Sequence, residues 1–303
     1  MLSSVGYYET QTLFKIICEN KINATNVKDI GLFTRADFSS VDIFFLESVM
    51  YEINLTYFDW KLIVNKIKNE CKKEIVFLII DTTLEGLSFN IEELLNACTF
   101  IRNIFIIEVR SLLKLSQQGL EYTNMGIVNC YIQTDRQAVM DKFSNILAKY
   151  RTTVGASISF RSAMLVNYPG FSSDISYEKK VMKNNSDFAL SLAARRGEAI
   201  DKIMHPALVS AKGNAPFIFV LFKSKSKEYC LKVVQYLSEK LTSAGLRPEI
   251  GDSFGFRNCR FKFVDYISDD STRTYILRIA VGKIRANKYY QILDAHGEIS
   301  TNL

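Results

Sequence analysis

The chain has 303 residues, 48% of them hydrophobic and 23% charged, with a formal net charge of +6 spread along its length. That length buries a substantial core and suits one large domain with a smaller one. The modest charge excludes a nucleic-acid footprint, because the densest basic run, Lys223-Ser-Lys-Ser-Lys227, reads as a solvated turn or helix entrance and no aromatic–basic module accompanies it.

From the N-terminus, Met1–Glu9 lacks a basic segment followed by an apolar one, so it does not read as a signal peptide. No apolar run reaches the roughly 18 residues of a membrane span. Val41–Leu46 reads as a buried strand ending at Glu47-Ser48, and Trp60–Lys72 as a helix with Leu62, Ile63 and Ile67 on one stripe. The run Ile75–Ile80 is a second buried strand, ending at Asp81-Thr82-Thr83. A helix over Asn90–Cys98 follows, with Asn90 as its N-cap. Ile101–Val109 and Met125–Ile132 are the next strands, and Asp135 opens a helix towards Tyr150. Near-continuous apolar strands alternating with helices predict an α/β fold with a mostly parallel sheet covered by helices. Ligands of such sheets gather at the carboxyl ends of the strands, where Asp81 lies.

Residues 151 to 185 read as a crossover between domains, and Ser186–Ile203 as a helix. Pro216–Phe222 is then a strand and Lys227–Ala244 an amphipathic helix closed by Gly245. Strands over Cys259–Asp265 and Thr274–Val281 and a last helix over Ala286–Asp294 complete a smaller α+β domain. The expected division is a large domain over 1–165, then a crossover helix and small domain over 166–303. The six cysteines are widely separated without a Cys-x-x-Cys, and neither His205 nor His296 has a cysteine at ligand spacing. No metal is therefore expected, and the thiols suit a reducing, cytoplasmic compartment.

Three residues carry candidate chemistry. Asp81 after an apolar strand is either a turn former or helix cap, or a carboxylate paired to a cationic ring nitrogen. Lys114, in Ser111-Leu-Leu-Lys114, is either a solvated lysine or an amine desolvated among Leu112, Leu113 and Leu115, suited to attack a carbonyl and then to carry protons. Arg278 interrupts the apolar strand Ile276–Val281. It is either an edge-strand or ion-paired arginine, or a fork gripping a carboxylate through two hydrogen bonds.

Several blocks, in order, resemble the Cys/Met-metabolism (transsulfuration) family of fold-type I pyridoxal-phosphate enzymes. Gly6-Tyr-Tyr-Glu-Thr-Gln-Thr-Leu-Phe14 is similar to the family's Leu-Tyr-Gly-x-Thr-x-x-Leu-Phe, and Phe45-Leu-Glu-Ser48 to its strand ending in Glu-(Ser/Thr)-Pro, with Val49 in place of the proline. Ile79-Ile-Asp-Thr-Thr83 resembles Val-Val-Asp-Asn-Thr, and Arg110-Ser-Leu-Leu-Lys114 resembles His-Ser-x-Thr-Lys. Ser253-Phe-Gly255 and Leu277-Arg-Ile-Ala-Val-Gly282 match the Ser-Leu-Gly and Val-Arg-Leu-Ser-Val-Gly blocks.

The resemblance implies pyridoxal 5'-phosphate as cofactor. It places Asp81 on the pyridine nitrogen, Thr83 and Ser111 among the cofactor-binding residues, Lys114 as the Schiff-base lysine and Tyr7 stacked on the ring. Ser253 and Arg278 fall at the substrate carboxylate. The implied activity is elimination or replacement at Cβ or Cγ of a sulfur-containing or related amino acid, in a homo-oligomer.

Three departures accompany the resemblance. The family's upstream phosphate-loop segment has no counterpart before Tyr7, which implies a partner chain or upstream piece to supply it. Leu113 replaces the phosphate-binding threonine, and Gln117-Gln-Gly-Leu-Glu121 replaces Gly-Gly-His-Ser-Asp. The competing reading is a non-catalytic homologue or half-enzyme acting as a scaffold. A nicotinamide site and a P-loop are set aside because no strand end carries their glycine patterns.

Overall fold

Along Val76–Asp81 (β4) the side chains of Val76, Leu78 and Ile80 are buried while Phe77, Ile79 and Asp81 are half-buried, the period of a strand whose two faces meet different surroundings. The computed structural model describes residues 1–4, 6, 7, 10, 12, 16, 24–27, 30–101, 103–132, 136–168, 174–195, 198–224, 226–245, 249–251, 253–267 and 273–283. They fall into two units. The first comprises 1–52, 57–112 and 123–173, and the second comprises 53–56, 113–122 and 174–303.

The first unit is built on a six-stranded sheet in the order β2-β1-β3-β4-β5-β6. Its strands are Leu2–Ser4 (β1), Thr25–Asn26 (β2), Ile43–Glu47 (β3), β4, Ile104–Ser111 (β5) and Gly126–Tyr131 (β6). All pairings are parallel except the last, where β6 runs antiparallel to β5. One face is closed by helix α2 (Trp60–Glu70), through Trp60, Ile63, Val64 and Ile67, and by α3 (Ile91–Cys98), through Leu94 and Cys98. A short helix, α1 (Ile30–Arg35), contributes Phe33 to the same core. Asn90 caps α3 as expected, its side-chain oxygen accepting from Glu93 N at 3.1 Å, and Asp59 caps α2 in the same way.

The other face is covered only in part. Helix α4 (Gln137–Thr153) has no buried residue, although Phe143 stacks on Phe77 at 6.3 Å. A largely apolar cavity of about 150 Å³ remains between them, lined by Phe77, Phe105, Ile107, Met140 and Phe143. Ile146, Leu147 and Tyr150 of α4 are exposed, as are Phe160 and Met164 on α5 (Phe160–Val166). The residue expected to open α4, Asp135, lies outside the described residues.

The second unit carries a five-stranded sheet in the order β7-β8-β11-β10-β9. These are Ile200–Met204 (β7), Ile218–Phe222 (β8), Glu249–Ile250 (β9), Arg260–Ile267 (β10) and Arg273–Ala280 (β11). Only the β9–β10 pairing is parallel. Helices α6 (Ile175–Ala194) and α7 (Lys227–Ser243) contribute Phe188, Leu192, Val233, Leu237 and Leu241 to the core with Val220, Leu277 and Ile279. Gly245 ends α7 in the left-handed region, as expected.

The reading of Ser186–Ile203 as one helix is corrected: α6 begins eleven residues earlier, at Ile175, and Ile200–Met204 is a strand paired with β8. Most of the expected crossover segment is therefore helical, and Asp174 caps it by accepting from Tyr177 N at 3.1 Å. The last helix, Ala286–Asp294, falls outside the described residues. Among them no helix is long and apolar enough to cross a membrane.

Candidate active site

The carboxyl ends of the parallel strands in the first unit collect acids. Glu47 and Asp81 are register partners on β3 and β4. Beyond Asp81 the chain turns because Glu85 N and Gly86 N both donate to Thr82 O. The Asp81 carboxylate accepts from Thr83 N at 2.8 Å, and Thr83 Oγ1 accepts from Ser111 N at 2.9 Å. Asp81, Thr83 and Ser111 are thus joined by hydrogen bonds along one edge. Behind it, buried Glu108 accepts from Thr82 Oγ1, Asn129 Nδ2 and Tyr131 OH at 2.8 to 3.0 Å, with Arg110 at 3.8 Å. Cation and donors compensate its desolvation.

Tyr7 belongs to the same edge through its backbone. The Glu47 carboxylate accepts from Gly6 N at 3.0 Å, Tyr7 N at 2.9 Å and Tyr51 N at 2.6 Å. The Tyr7 ring is 38% exposed, enough to be contacted by a ligand, and meets Tyr51 edge-on at 6.0 Å. Burial pushes the Glu47 carboxyl up to about 7, with the three backbone donors pulling it back and Asp81 adding to the rise. Glu85 is likewise pushed up to about 7 by burial, offset in part by the Ser48 hydroxyl.

The second unit gathers the other three predicted residues around Gly251 and residues 253–256. Half-buried Lys114 places Nζ 4.4 Å above the Phe254 ring. Phe254 lies 5.4 Å from Phe217, and the Arg278 guanidinium 5.7 Å from Phe217. Arg278 is buried on β11, with β8 and β10 on either side, so it is neither an edge residue nor solvent-facing; its Nη2 donates to Gly251 O at 3.5 Å. Ser253 Oγ donates to Glu121 Oε1 at 3.1 Å. The turn after Lys114 (Leu115–Gln117) is buried against this segment, and two glycines permit the approach. A Cβ on Gly119 would meet Phe256 Cα at 2.4 Å, and one on Gly255 would meet Leu115 at 3.0 Å.

Sequence reasoning singled out Asp81 but passed over Glu47, which ends an apolar run in the same way. It also missed Phe254 and Phe217, whose contacts with Lys114 and Arg278 depend on packing between distant segments. His205 has a structural role: Nδ1 accepts from Ala207 N and Nε2 donates to Ala215 O, each at 3.1 Å, and burial pushes the ring down to about 4.

No family model and no curated protein matches the sequence. Solved structures do resemble the chain. A methionine gamma lyase from Micromonospora echinospora, in its apo form, aligns over 98% of this chain and 74% of its own, at 14% identity and a TM-score of 0.68. A putative O-acetylhomoserine (thiol)-lyase from Campylobacter jejuni, whose structure contains N'-pyridoxyl-lysine-5'-monophosphate, aligns over 98% and 75%, at 15% identity and a TM-score of 0.72. Cystathionine gamma synthase from Xanthomonas oryzae, in complex with cystathionine, aligns over 100% and 76%, at 12% identity and a TM-score of 0.68. The expected resemblance therefore holds at the level of fold: the chain has the fold of fold-type I pyridoxal-phosphate enzymes of the transsulfuration group.

Proposed function

We propose that the chain is a pyridoxal-phosphate-dependent enzyme acting on a small, sulfur-containing or related amino acid by elimination or replacement at Cβ or Cγ. One observation carries the reading: the hydrogen-bonded edge Asp81–Thr83–Ser111, with Tyr7 bound to the neighbouring strand end. The residues present suit the cofactor. Asp81 favours a protonated ring nitrogen, and Thr83 and Ser111, linked to it by hydrogen bonds, each carry a hydroxyl able to bond a phosphate. Bound there, pyridoxal phosphate supplies an electron sink for charge developing at a substrate Cα.

Each residue then has a task. Asp81 holds the proton at the ring nitrogen, and Tyr7 covers a ring face. Lys114 Nζ would hold the cofactor, and the same amine would move a proton at the substrate Cα. Arg278 orients the substrate carboxylate with Ser253 beside it, and its burial strengthens that contact by excluding water. In this reading 1–165 is the cofactor-binding domain and 166–303 the smaller one, and the protein works in the cytoplasm. The exposed apolar residues Ile146, Leu147, Tyr150, Phe160 and Met164 support an oligomer, or a partner chain that also completes the phosphate site.

A second reading, a non-catalytic scaffold or half-enzyme, is favoured by the closed turn after Lys114. There Leu115, Ser116 and Gln117 are buried, and Gln117 stands where the resemblance calls for the first glycine of Gly-Gly-His-Ser-Asp. Titration with pyridoxal phosphate separates the two. An absorption band near the visible edge, abolished by Lys114→Ala, supports the enzyme; no band at saturating cofactor leaves the scaffold.

A further inference from the structure

Glu47 spends a buried carboxylate on backbone rather than on any side chain the proposed chemistry names. Its Oε1 takes the Tyr7 N–H and its Oε2 takes those of Gly6 and Tyr51, so three donors from two loops converge on one side chain 4% exposed. Hydrogen bonds to an ionised acceptor are stronger than those to a neutral one. The loops also touch directly. A Cβ on Gly6 would lie 1.8 Å from Tyr51 O, and the Tyr7 and Tyr51 rings meet edge-on. The Tyr7 ring is therefore fixed from its backbone, at a strand end whose register partner is Asp81.

We propose that Glu47 is a positioning residue that clamps the Gly6–Tyr7 and Tyr51 backbones and so presents the Tyr7 ring at the strand edge carrying Asp81. The proposal rests on the reading of Tyr7 as the residue that covers the cofactor ring. Glu47 touches neither cofactor nor substrate; it acts through Tyr7. An amide in its place keeps one, neutral accepting oxygen and turns N–H groups towards the remaining backbone donor, so Glu47→Gln keeps the shape and weakens the clamp.

The test is amide hydrogen exchange by NMR on the cofactor-free chain, joined to a double-mutant cycle of cofactor affinity. In Glu47→Gln the Gly6, Tyr7 and Tyr51 amides should exchange about tenfold faster or more, with β4 and β5 amides little changed. Pyridoxal-phosphate affinity should fall in Glu47→Gln, and Glu47→Gln added to Tyr7→Ala should cost much less, because only the charge coupling through Asp81 then links Glu47 to the ligand. Unchanged exchange at the three amides, or full additivity in the cycle, overturns the proposal. Where Glu47→Gln does not fold, Glu47→Asp keeps the charge at shorter reach. It should show faster exchange confined to the same three amides, and uniform loss of protection counts against the clamp. Failure of the native chain to bind pyridoxal phosphate would instead defeat the proposed function, with the exchange result still deciding whether the clamp exists.

Discussion

Glu85 offers the sharpest test of the electrostatics. It is 3% exposed, and its Oε2 has no hydrogen-bond partner among the described residues. Burial therefore raises its carboxyl from 4.5 to about 7, which makes the folded chain hold a proton that the unfolded chain has released. A folded value above the unfolded one means stability that is fully present below about pH 4.5 and lost as pH rises through about 7. The interval of about 2.5 units corresponds to about 3 kcal/mol between those limits. Glu85→Gln removes this share. Urea unfolding followed by Trp60, the chain's one tryptophan and a member of the first unit's core, reads it out. The variant should gain on the native chain from about pH 4.5 to about pH 7 and then level off, at about 3 kcal/mol above its low-pH difference. A difference that stays constant across that range would refute the reasoning, since other carboxyls cancel in the comparison.

The second unit yields two stability predictions. Asn185 is fully buried on α6, donates to Val181 O and Val281 O and accepts from Val281 N, all at 2.8 Å. Asn185→Ala leaves the Val281 N–H and C=O unpaired and should cost about 2–4 kcal/mol in chemical unfolding followed by circular dichroism. Gly255 has φ +82° with Leu115 Cδ2 3.0 Å from a built Cβ, so Gly255→Ala should cost about 1–3 kcal/mol by the same measurement. Both losses should exceed that of an alanine placed at an exposed α7 position such as Leu231.

The parallel sheet was legible because its strands are continuous apolar runs bounded by acids and turn residues, a local signal. Asn90 was legible as a cap for the same reason. The start of α6 was not. Lys179, Lys180, Lys183, Asn184 and Asn185 look like a linker, yet Tyr177, Val181, Met182, Phe188, Ala189 and Leu192 form a buried stripe. The two asparagines are polar there because they satisfy backbone groups at Val281, Gly282 and Lys283, nearly a hundred residues away. That is information no local window holds. Ile200–Met204 became a strand because β8 offers an edge to pair with, a tertiary override of local pattern. The candidate site divides in the same way. Acids at strand ends were readable, while the aromatic pair linking Lys114 to Arg278 was not.

Acids at adjacent strand ends repel, and here Asp81 is among the causes that raise the Glu47 carboxyl. Under the proposed function, a cationic ring nitrogen beside Asp81 offsets that repulsion, so the ionised form of Glu47 gains on the protonated one. Only the ionised form accepts all three backbone donors strongly. Ligand binding at Asp81 and clamping of Tyr7 are then coupled, and linkage requires the coupling to run both ways: an ionised Glu47 tightens the cofactor, and the cofactor favours an ionised Glu47. An anionic group at the same edge would do the reverse. Under the proposed function, the charge at these strand ends favours the ring nitrogen, and not the phosphate, on the side of Asp81.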